Sequence, residues 1–233
     1  MKTVILCGGK GTRLSEETKI IPKPMVKIGN KPILWHILKI FNYYGLKDFI
    51  LATGYKRKII ERNLKLFKGF GQVRCIDTGS DTLTGGRLLR LKNELKLEEN
   101  FLMTYGDGVS DINIKKLINF HFKRKKIATL TAVRPPVRFG ELTLKNNQVQ
   151  KFQEKPQAKA GWINGGFFVL NKKVFNFLKN DKTIFERKPL ESMANKKQLV
   201  AYKHENFWQC MDTLRDKELL NKLFYRGEAP WLR

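Results

Sequence analysis

The sequence has few of the residues that build disulfide scaffolds, structural metal sites or membrane spans. Its 233 residues include 3 cysteines and 3 histidines, and no Cys-x-x-Cys pair occurs, so neither a disulfide framework nor a structural zinc site is expected. The longest apolar runs, such as Thr3–Cys7, are far shorter than the roughly 20 residues of a membrane-spanning helix. The apolar stretch after Met1-Lys2 ends at Gly8-Gly9, unlike a secretory signal peptide. We therefore expect a soluble, cytoplasmic protein.

Acidic residues are scarce relative to basic ones. The chain has 46 Lys+Arg and 21 Asp+Glu, a formal net charge of +25, which suits a nucleic acid, an anionic membrane or phosphorylated small molecules. However, most of the lysines are scattered, and the one dense run, Lys123–Lys126, follows a predicted helix as a solvated C-terminal turn. Nucleic-acid binding predicts clustered Lys/Arg with interleaved aromatics, and the sequence has the reverse. We expect no nucleic-acid or membrane partner.

Short apolar strand patterns alternate with helical patterns along the first 133 residues. This alternation predicts an α/β fold with a Rossmann-like, doubly wound, mostly parallel sheet. The predicted strands are Lys2–Cys7, Phe49–Thr53, Val73–Ile76, Phe101–Tyr105 and Ala128–Val133, and the predicted helices are Pro32–Tyr44, Lys56–Phe67, Arg87–Leu97 and Ile114–Phe122.

The pattern changes after Pro135-Pro136. Glu141–Leu144 and Val149–Phe152 are separated by Asn146-Asn147 and predict a small β-hairpin. No internal repeat or low-complexity linker interrupts the chain, so we expect a single domain over residues 1–233. The remaining predicted elements are a strand at Ile163–Leu170, a helix near Lys172–Leu178, a strand at Leu199–Lys203 and a closing helix at Thr213–Tyr225.

A glycine-rich loop, Leu6–Leu14, directly follows the first predicted strand. Glycines let a backbone approach a ligand closely, and consecutive N–H groups can bind phosphate oxygens. The loop matches neither the Rossmann nor the Walker pattern, so an ordinary glycine-rich turn is the alternative. Arg13 adds a bidentate donor, and Lys23 between Pro22 and Pro24 adds a fixed point charge. Together these residues favour a triphosphate site.

Two carboxylates are candidates for the chemistry. Asp107, in Tyr105–Gly108, follows a predicted buried strand, where open α/β sheets bind their ligands, and a carboxylate there suits Mg²⁺. The alternative is an Asx-turn. Asp212 precedes the last predicted helix, and its alternative is a routine N-cap.

Two further segments offer groups for a second substrate. Glu154-Lys155 brings a lysine that could meet another phosphate, and Asn164–Gly166 brings amide and backbone groups suited to sugar hydroxyls. An Asn-Gly-Gly turn is common by itself. The conclusion therefore depends on all of these segments together.

In this order, the segments resemble the sugar-1-phosphate nucleotidylyltransferases, from Met1 to about Trp231. Within that family the chain is similar to the branch that uses CTP and α-D-glucose 1-phosphate. Further matching segments are Leu14–Thr18, Pro32–Ile37, Asp77–Gly79, Thr84–Leu88, Phe139-Gly140 and Met211–Lys217.

The resemblance implies transfer of a cytidylyl group from CTP to glucose 1-phosphate, with pyrophosphate as the second product and Mg²⁺ as cofactor. The alternative keeps the chemistry but uses UTP, dTTP or another phosphorylated acceptor. The implied catalytic residues are Arg13, Lys23 and Asp107, and the implied metal ligands are Asp107 and Asp212. Implied nucleotide-binding residues are Leu6, Cys7, Gly8, Gly9, Lys10, Gly11, Thr12, Arg13, Lys23, Thr82, Arg87 and Gly106; implied sugar-phosphate-binding residues are Glu154, Lys155, Asn164, Gly165 and Gly166.

The resemblance also implies a division of labour and an assembly. Residues 1–133 would form a nucleotide-binding half and residues 134–233 a sugar-phosphate-binding half. A homo-oligomer is expected, because family members similar to this chain assemble. The segment between Tyr55 and Asp77 is shorter than expected in this branch, where an insert that could contribute to subunit contacts precedes the residues matching Asp77–Gly79.

Overall fold

Strands and helices alternate along most of the chain in the computed structural model, which describes residues 1–135, 141–145, 148–153 and 161–232. In chain order the strands are β1 (Thr3–Leu6), β2 (Lys27–Ile28), β3 (Lys31–Pro32), β4 (Asp48–Thr53), β5 (Gln72–Asp77), β6 (Asn100–Tyr105), β7 (Gly108–Ser110), β8 (Ala128–Val133), β9 (Glu141–Lys145), β10 (Gln148–Gln153), β11 (Ile163–Asn171), β12 (Leu199–His204) and β13 (Trp208–Cys210). The α-helices are α1 (Ser15–Thr18), α2 (Ile33–Tyr43), α3 (Arg57–Arg62), α4 (Thr84–Arg90), α5 (Ile114–Arg124), α6 (Lys188–Asn195) and α7 (Leu214–Tyr225).

A seven-stranded sheet with the order β12-β8-β11-β6-β1-β4-β5 forms the centre of the molecule. Strands β1, β4, β5 and β6 pair in parallel, as do β8 and β12. Only β11, among the strands of this sheet, runs antiparallel, and it does so to both of its neighbours, β6 and β8. Parallel neighbours need crossover connections, which the helices supply. The predicted Rossmann-like, mostly parallel α/β fold is confirmed.

Strands β1, β4 and β6 at the centre of the sheet are buried on both faces, to which successive side chains of a strand point in turn. On β1, Val4 and Ile5 are both completely buried but belong to different clusters. Ile5 packs in the cluster that contains Ile37 of α2, whereas Val4 packs in the cluster that contains Leu88 of α4. Burying each such side chain stabilises the fold by about 1.5–3 kcal/mol.

Three predicted helices differ from the observed ones. The predicted helix 56–67 is divided: α3 ends at Arg62, and a 3₁₀ helix follows at Leu64–Phe67. The side chain of Asn63 donates to the Ile59 carbonyl (2.7 Å), a local bond that competes with helix continuation. The predicted helix near 172–178 is a 3₁₀ helix, Lys172–Phe177.

The third difference is at α4, which was predicted over 87–97 and is observed at Thr84–Arg90. Its first turn contains Gly85 and Gly86, which sequence propensity assigns to a loop. Both glycines pack against the backbone of residues 181–183, and the Gly85 amide donates to the Thr183 carbonyl at 2.9 Å. Tertiary packing therefore overrides helix propensity at this point.

Other elements agree with expectation or were not predicted. The hairpin is confirmed as β9 and β10, which pair antiparallel. The short strands β7 and β13 and the eight-residue helix α6 were missed, because three residues give no readable period and α6 has Pro189 in its first turn. Within the described parts of the chain, the helices are all too short or too polar to cross a bilayer.

We predict that Gly86→Ala destabilises the protein by about 1–3 kcal/mol despite the higher helix propensity of alanine. A Cβ atom on Gly86 would lie 2.4 Å from the backbone oxygen of Asp181, so backbone must shift. Urea unfolding measures the change. The matched control is Gly9→Ala, whose Cβ would meet nothing within 4 Å. A Gly86→Ala variant as stable as the wild type would contradict this packing.

Candidate functional site

A cleft of about 560 Å³ opens at the carboxyl ends of β1 and β6. Open α/β sheets bind ligands at this edge. The lining comes from the loop after β1, the start of α4, the end of β6, the start of β11 and the segments beside α6 and β13. The lining residues are Leu6, Cys7, Gly9, Gly11, Thr12, Arg13, Lys23, Pro24, Thr82, Leu83, Thr84, Arg87, Thr104, Tyr105, Gly106, Asp107, Gly108, Asn164, Gly165, Gly166, Glu186, Trp208, Cys210 and Asp212.

A larger cleft, of about 1310 Å³, lies near α5 and α6. Eight Lys or Arg side chains and one carboxylate, that of Glu99, are among its lining residues. None of the described residues predicted for the site lines it. Lysines grouped in this way are typical of a solvated surface and do not by themselves indicate a ligand site. The smaller cleft, which contains the glycine loop and the paired carboxylates, is the candidate site.

The glycine loop presents unused backbone donors to the cleft. Within the described residues, the amides of Gly9, Lys10 and Gly11 donate to no carbonyl or side chain, in contrast to Cys7, whose amide donates to the Ala52 carbonyl. Gly11 has a φ of 66°, in the region that favours glycine. The Thr18 hydroxyl donates to the Gly11 carbonyl at 3.0 Å and fixes the end of the loop. Three consecutive free amides are suited to phosphate oxygens.

Arg87 holds the loop from behind. Its guanidinium is buried and donates to the Gly8 carbonyl (2.7 Å), the Gly79 carbonyl (2.7 Å) and the Thr78 hydroxyl (2.8 Å). Burial lowers the pKa of Arg87 from its ordinary value. Both terminal nitrogens of Arg87 therefore already have protein acceptors. The main role of this side chain is to join the glycine loop to the end of β5.

Pairing of two short strands brings the carboxylates together. Strand β7 starts one residue after Asp107, and β13 ends two residues before Asp212. These strands pair antiparallel with Cys210 opposite Gly108, and the Met211 amide donates to the Asp107 carbonyl at 2.8 Å. Residues that are more than 100 positions apart in sequence thus meet at one point of the cleft.

Lys23 lies between the two carboxylates. Its ammonium donates to Asp107 at 2.7 Å and also to Asp212, while Arg13 donates to the other oxygen of Asp212 at 2.5 Å. Only 8% of the Lys23 side chain is exposed, whereas 72% of the Arg13 side chain is. The cluster therefore combines one buried cation with one that can move.

The charges of this cluster shift its pKa values. Burial alone would lower the pKa of Lys23, but Asp107 and Asp212 outweigh it and the pKa is raised. Burial alone would raise the pKa of Asp212, but the hydrogen bond and charge of Lys23, with the charge of Arg13, hold that pKa below its ordinary value. The lysine and Asp212 therefore stay charged at neutral pH.

The geometry decides between the alternatives that the sequence leaves open. The N-cap of α7 is Thr213, which forms a capping box with Asp216, so Asp212 is free of that task. The Asp107 side chain contacts Lys23. Lys23 itself is buried in a 3₁₀ helix, Lys23–Met25.

Of the predicted site residues that the structure describes, all but two line this cleft. Gly8 does not line it; its carbonyl faces Arg87 instead. The Lys10 side chain points to the surface and pairs with Asp81 at 3.0 Å. Glu154 and Lys155 lie outside the described residues.

Sequence reasoning missed several lining side chains. Trp208 donates from Nε1 to the Gly165 carbonyl at 2.7 Å and fixes that turn. Glu186 accepts from the hydroxyls of Tyr105 and Thr84. Tyr105 was within a recognised segment and could have been included. Glu186 had no sequence signal, because it belongs to the segment before the unpredicted α6.

The fold and the cleft define an α/β protein with a glycine loop and paired carboxylates in one cleft at the carboxyl edge of its sheet. The Nucleotidyl transferase family profile matches residues 2–214, and the chain belongs to that family. Its fold is the nucleotide-diphospho-sugar transferase type.

Individual relatives are similar over nearly the whole chain. The glucose-1-phosphate cytidylyltransferase of Salmonella typhimurium is 48% identical over 253 aligned residues, covering 99% of this chain and 98% of that protein. A mannose-1-phosphate guanyltransferase of Yarrowia lipolytica is 30% identical, covering 95% of this chain and 62% of that protein. The crystal structure of HddC from Yersinia pseudotuberculosis complexed with GMP-PN is 26% identical, with a TM-score of 0.76 and coverage of 96% and 99%.

The alignment with the Salmonella protein is longer than this chain. It spans 253 positions, whereas the chain has 233 residues, so at least 20 aligned positions have no residue here. This agrees with the expectation that relatives carry an insert. Its location between Tyr55 and Asp77 stays a prediction.

We predict that Lys23→Met destabilises the nucleotide-free protein by about 3 kcal/mol at pH 7, because Asp107 and Asp212 lose their buried cation. Urea unfolding in the presence of a chelator measures the loss. The pKa of Asp212 is lower in the folded protein than in the unfolded chain, where it is about 3.9. The interaction with Lys23 therefore stabilises the fold fully above the unfolded pKa, and this stabilisation is lost as the pH falls through the folded pKa. The deficit of the variant should therefore narrow below about pH 4.

The control for this prediction is Lys10→Met, which removes an exposed ion pair and should change stability by less than about 0.5 kcal/mol. Equal effects of the two substitutions, or a deficit that does not depend on pH, would contradict the assigned role of the buried cluster.

Proposed function

We propose that this protein transfers the cytidylyl group of CTP to α-D-glucose 1-phosphate and releases pyrophosphate. The observation that carries the proposal is that Lys23 and Arg13 bind the pair Asp107 and Asp212 in the same cleft that the glycine loop lines. The choice of CTP and glucose 1-phosphate is supported by the 48% identity to the Salmonella cytidylyltransferase over 99% of the chain.

The triphosphate of the nucleotide would bind along the glycine loop. The amides of Gly9, Lys10 and Gly11 are donors without protein acceptors among the described residues. Arg13 is largely exposed and offers the β- and γ-phosphates a bidentate donor. Lys23 is assigned to the α-phosphate, where its ammonium stabilises the negative charge that develops during transfer. Buried Thr82 and Arg87 would define the cytidine end of the site.

The residues present fit a magnesium ion. Members of this family generally depend on a divalent metal, and Mg²⁺ prefers one or two carboxylates together with waters and phosphates. Asp107 and Asp212 already share one cation, Lys23. Among the described residues no group of three or more His, Cys, Asp and Glu could hold a metal, so phosphate oxygens would complete the shell. We propose that these two aspartates hold Mg²⁺, which neutralises phosphate charge when bound.

The reaction requires no protein nucleophile, because the attacking atom is already a phosphate oxygen. Two cysteines line the cleft, but burial raises the pKa of Cys7 and raises that of Cys210 to about 12, so both are protonated thiols at neutral pH. Catalysis consists of holding the sugar phosphate in line with the leaving pyrophosphate and of stabilising charge at the α-phosphorus.

The sugar phosphate would bind on the other side of the cleft. Asn164, Gly165 and Gly166 line it at the start of β11, and the Gly166 amide donates to Asn164 Oδ1 at 2.9 Å. We propose that this turn contacts the sugar and that Glu154 and Lys155 contribute to the same half, about residues 134–233, with the nucleotide in the half at about 1–133. A homo-oligomer belongs to the same proposal.

The proposal predicts that CTP is used better than UTP, dTTP and ATP when each is supplied with glucose 1-phosphate and Mg²⁺. We expect kcat/KM for CTP to exceed the others by at least about tenfold. The reason is that the bases differ in their hydrogen-bond donors and acceptors, and a site that pairs with those of cytosine leaves polar groups unpaired with another base. Pyrophosphate release measures turnover, with reactions that lack the sugar phosphate as the control.

The outcomes of this assay separate the competing functions. Equal or better turnover with UTP or dTTP would replace the nucleotide assignment while keeping the chemistry. Absence of turnover with every nucleotide, combined with steeply salt-dependent binding of DNA or RNA, would indicate a nucleic-acid-binding protein and overturn the proposal.

We also predict that Asp107→Asn lowers kcat by at least about 100-fold, because the site loses a charged metal ligand. The Mg²⁺ concentration needed for half-maximal rate should rise. Circular dichroism at the assay temperature should show a folded variant, because Asp212 still pairs with Lys23. Asp81→Asn is the control, since Asp81 is an exposed acid that pairs with Lys10 and does not line the cleft. Near-normal turnover of Asp107→Asn would remove Asp107 from the metal site.

A further inference from the structure

Glu186 is a third carboxylate in the lining of the candidate site. It differs from Asp107 and Asp212 in its partners, because those two contact Lys23, whereas Glu186 has no cationic partner among the described residues. A carboxylate that has no cation among the described residues repels a triphosphate in the same cleft unless the ligand itself offers a hydrogen-bond donor. Its retention there requires a reason.

Two hydroxyl groups hold Glu186 in one orientation. Tyr105 donates to Oε1 at 2.5 Å, and Thr84 donates to Oε2 at 2.6 Å. The Thr84 hydroxyl is itself fixed, since it accepts from the Phe185 amide at 2.9 Å. The side-chain nitrogen of Asn164 lies 3.5 Å from the Tyr105 hydroxyl. The glutamate is thus part of a network that joins α4, β6 and β11.

The network leaves Glu186 with spare acceptor capacity. An ionised carboxylate has about four lone-pair sites, and the two hydroxyls use two of them. Glu186 is exposed, so the remaining lone pairs are accessible. A neutral donor such as an alcohol satisfies them, whereas a phosphate oxygen does not. Sugar rings supply such alcohols, and the proposed reaction has two of them, the ribose of the nucleotide and the hexose of the sugar phosphate.

We propose that Glu186 accepts a hydrogen bond from a hydroxyl of a bound sugar ring and thereby determines sugar specificity. This inference rests on the proposed function. Tyr105 and Thr84 are positioning residues, because they act by orienting the carboxylate. Through Tyr105, Glu186 is linked to Asn164 in the turn assigned to the hexose. Through Thr84, it is linked to α4, which carries Arg87 at the end of the cleft assigned to the nucleotide. The test therefore includes the hydroxyls of both sugar rings.

The test combines Glu186→Gln with deoxy substrates. Glutamine keeps the shape but loses the charge and one acceptor, and hydrogen bonds to charged groups are the stronger ones. We expect kcat/KM for the natural pair of substrates to fall by about tenfold or more, with a melting temperature equal to that of the wild type. The control is Glu191→Gln, an exposed glutamate in α6 that does not line the cleft.

The deoxy series then identifies the hydroxyl. The substrates tested are 2-, 3-, 4- and 6-deoxyglucose 1-phosphate and 2′- and 3′-deoxy-CTP. The wild-type enzyme should have a lower kcat/KM with one of them than with the natural substrate. For Glu186→Gln, removal of that same hydroxyl should cause no further fall in kcat/KM. Such non-additivity is the signature of a direct contact. Tyr105→Phe, which removes one positioning hydroxyl, should show a smaller loss coupled to the same sugar position.

The outcomes are decisive in both directions. Coupling to a hexose position assigns the glutamate to the acceptor sugar, and coupling to a ribose position assigns it to the nucleotide. Additive losses at every position, unchanged kinetics of Glu186→Gln, or coupling only to a changed base would overturn the inference. Failure of the wild type to use CTP with glucose 1-phosphate would instead overturn the proposed function, and the same cycle would be run with the substrate pair that is used.

Discussion

The ammonium group of Lys23 lies between the carboxylates of Asp107 and Asp212, and the organisation of the cleft depends on this contact. A buried lysine is unfavourable without partners, and two neighbouring carboxylates repel each other. Each component therefore requires the others: the prolines around Lys23 restrict its backbone, and the β7–β13 pairing brings the acids to it. The cluster holds an oriented set of charges before any substrate arrives. In the reaction proposed above, such an arrangement reduces the reorganisation that catalysis requires.

Burial distinguishes Lys23 from the many cations on the surface of this protein. The net charge of +25 identifies no site, because lysines occur along the whole chain. Lys10 and Lys23 are both close to the glycine loop, yet 58% of the Lys10 side chain is exposed and only 8% of the Lys23 side chain is. An exposed ion pair contributes little to stability, whereas a buried one changes pKa values and orients its partners.

Contacts between segments that are distant in sequence organise the site as much as the segments themselves do. Arg87 uses its terminal nitrogens to join the glycine loop to the end of β5. The segment before α6 packs against the glycines of α4 and carries Glu186 into the cleft. The Arg87–Gly8 bond and the packing of residues 181–183 on α4 join residues that are about 80 to 100 positions apart. A small part of the second half of the chain thus helps to build the end of the cleft beside α4.

The sequence alone determined the alternation of strands and helices, the parallel character of most of the sheet, and the glycine loop with its two cations, because these depend on local period, backbone freedom and charge. It left open whether the Asp107 side chain only closes an Asx-turn and whether Asp212 is an N-cap. It also contained no signal for Glu186. Those questions were decided by the pairing of two three-residue strands and by packing of α4 against residues 181–183. Contacts between distant residues depend on the closed shape of the whole core, and no local pattern encodes them.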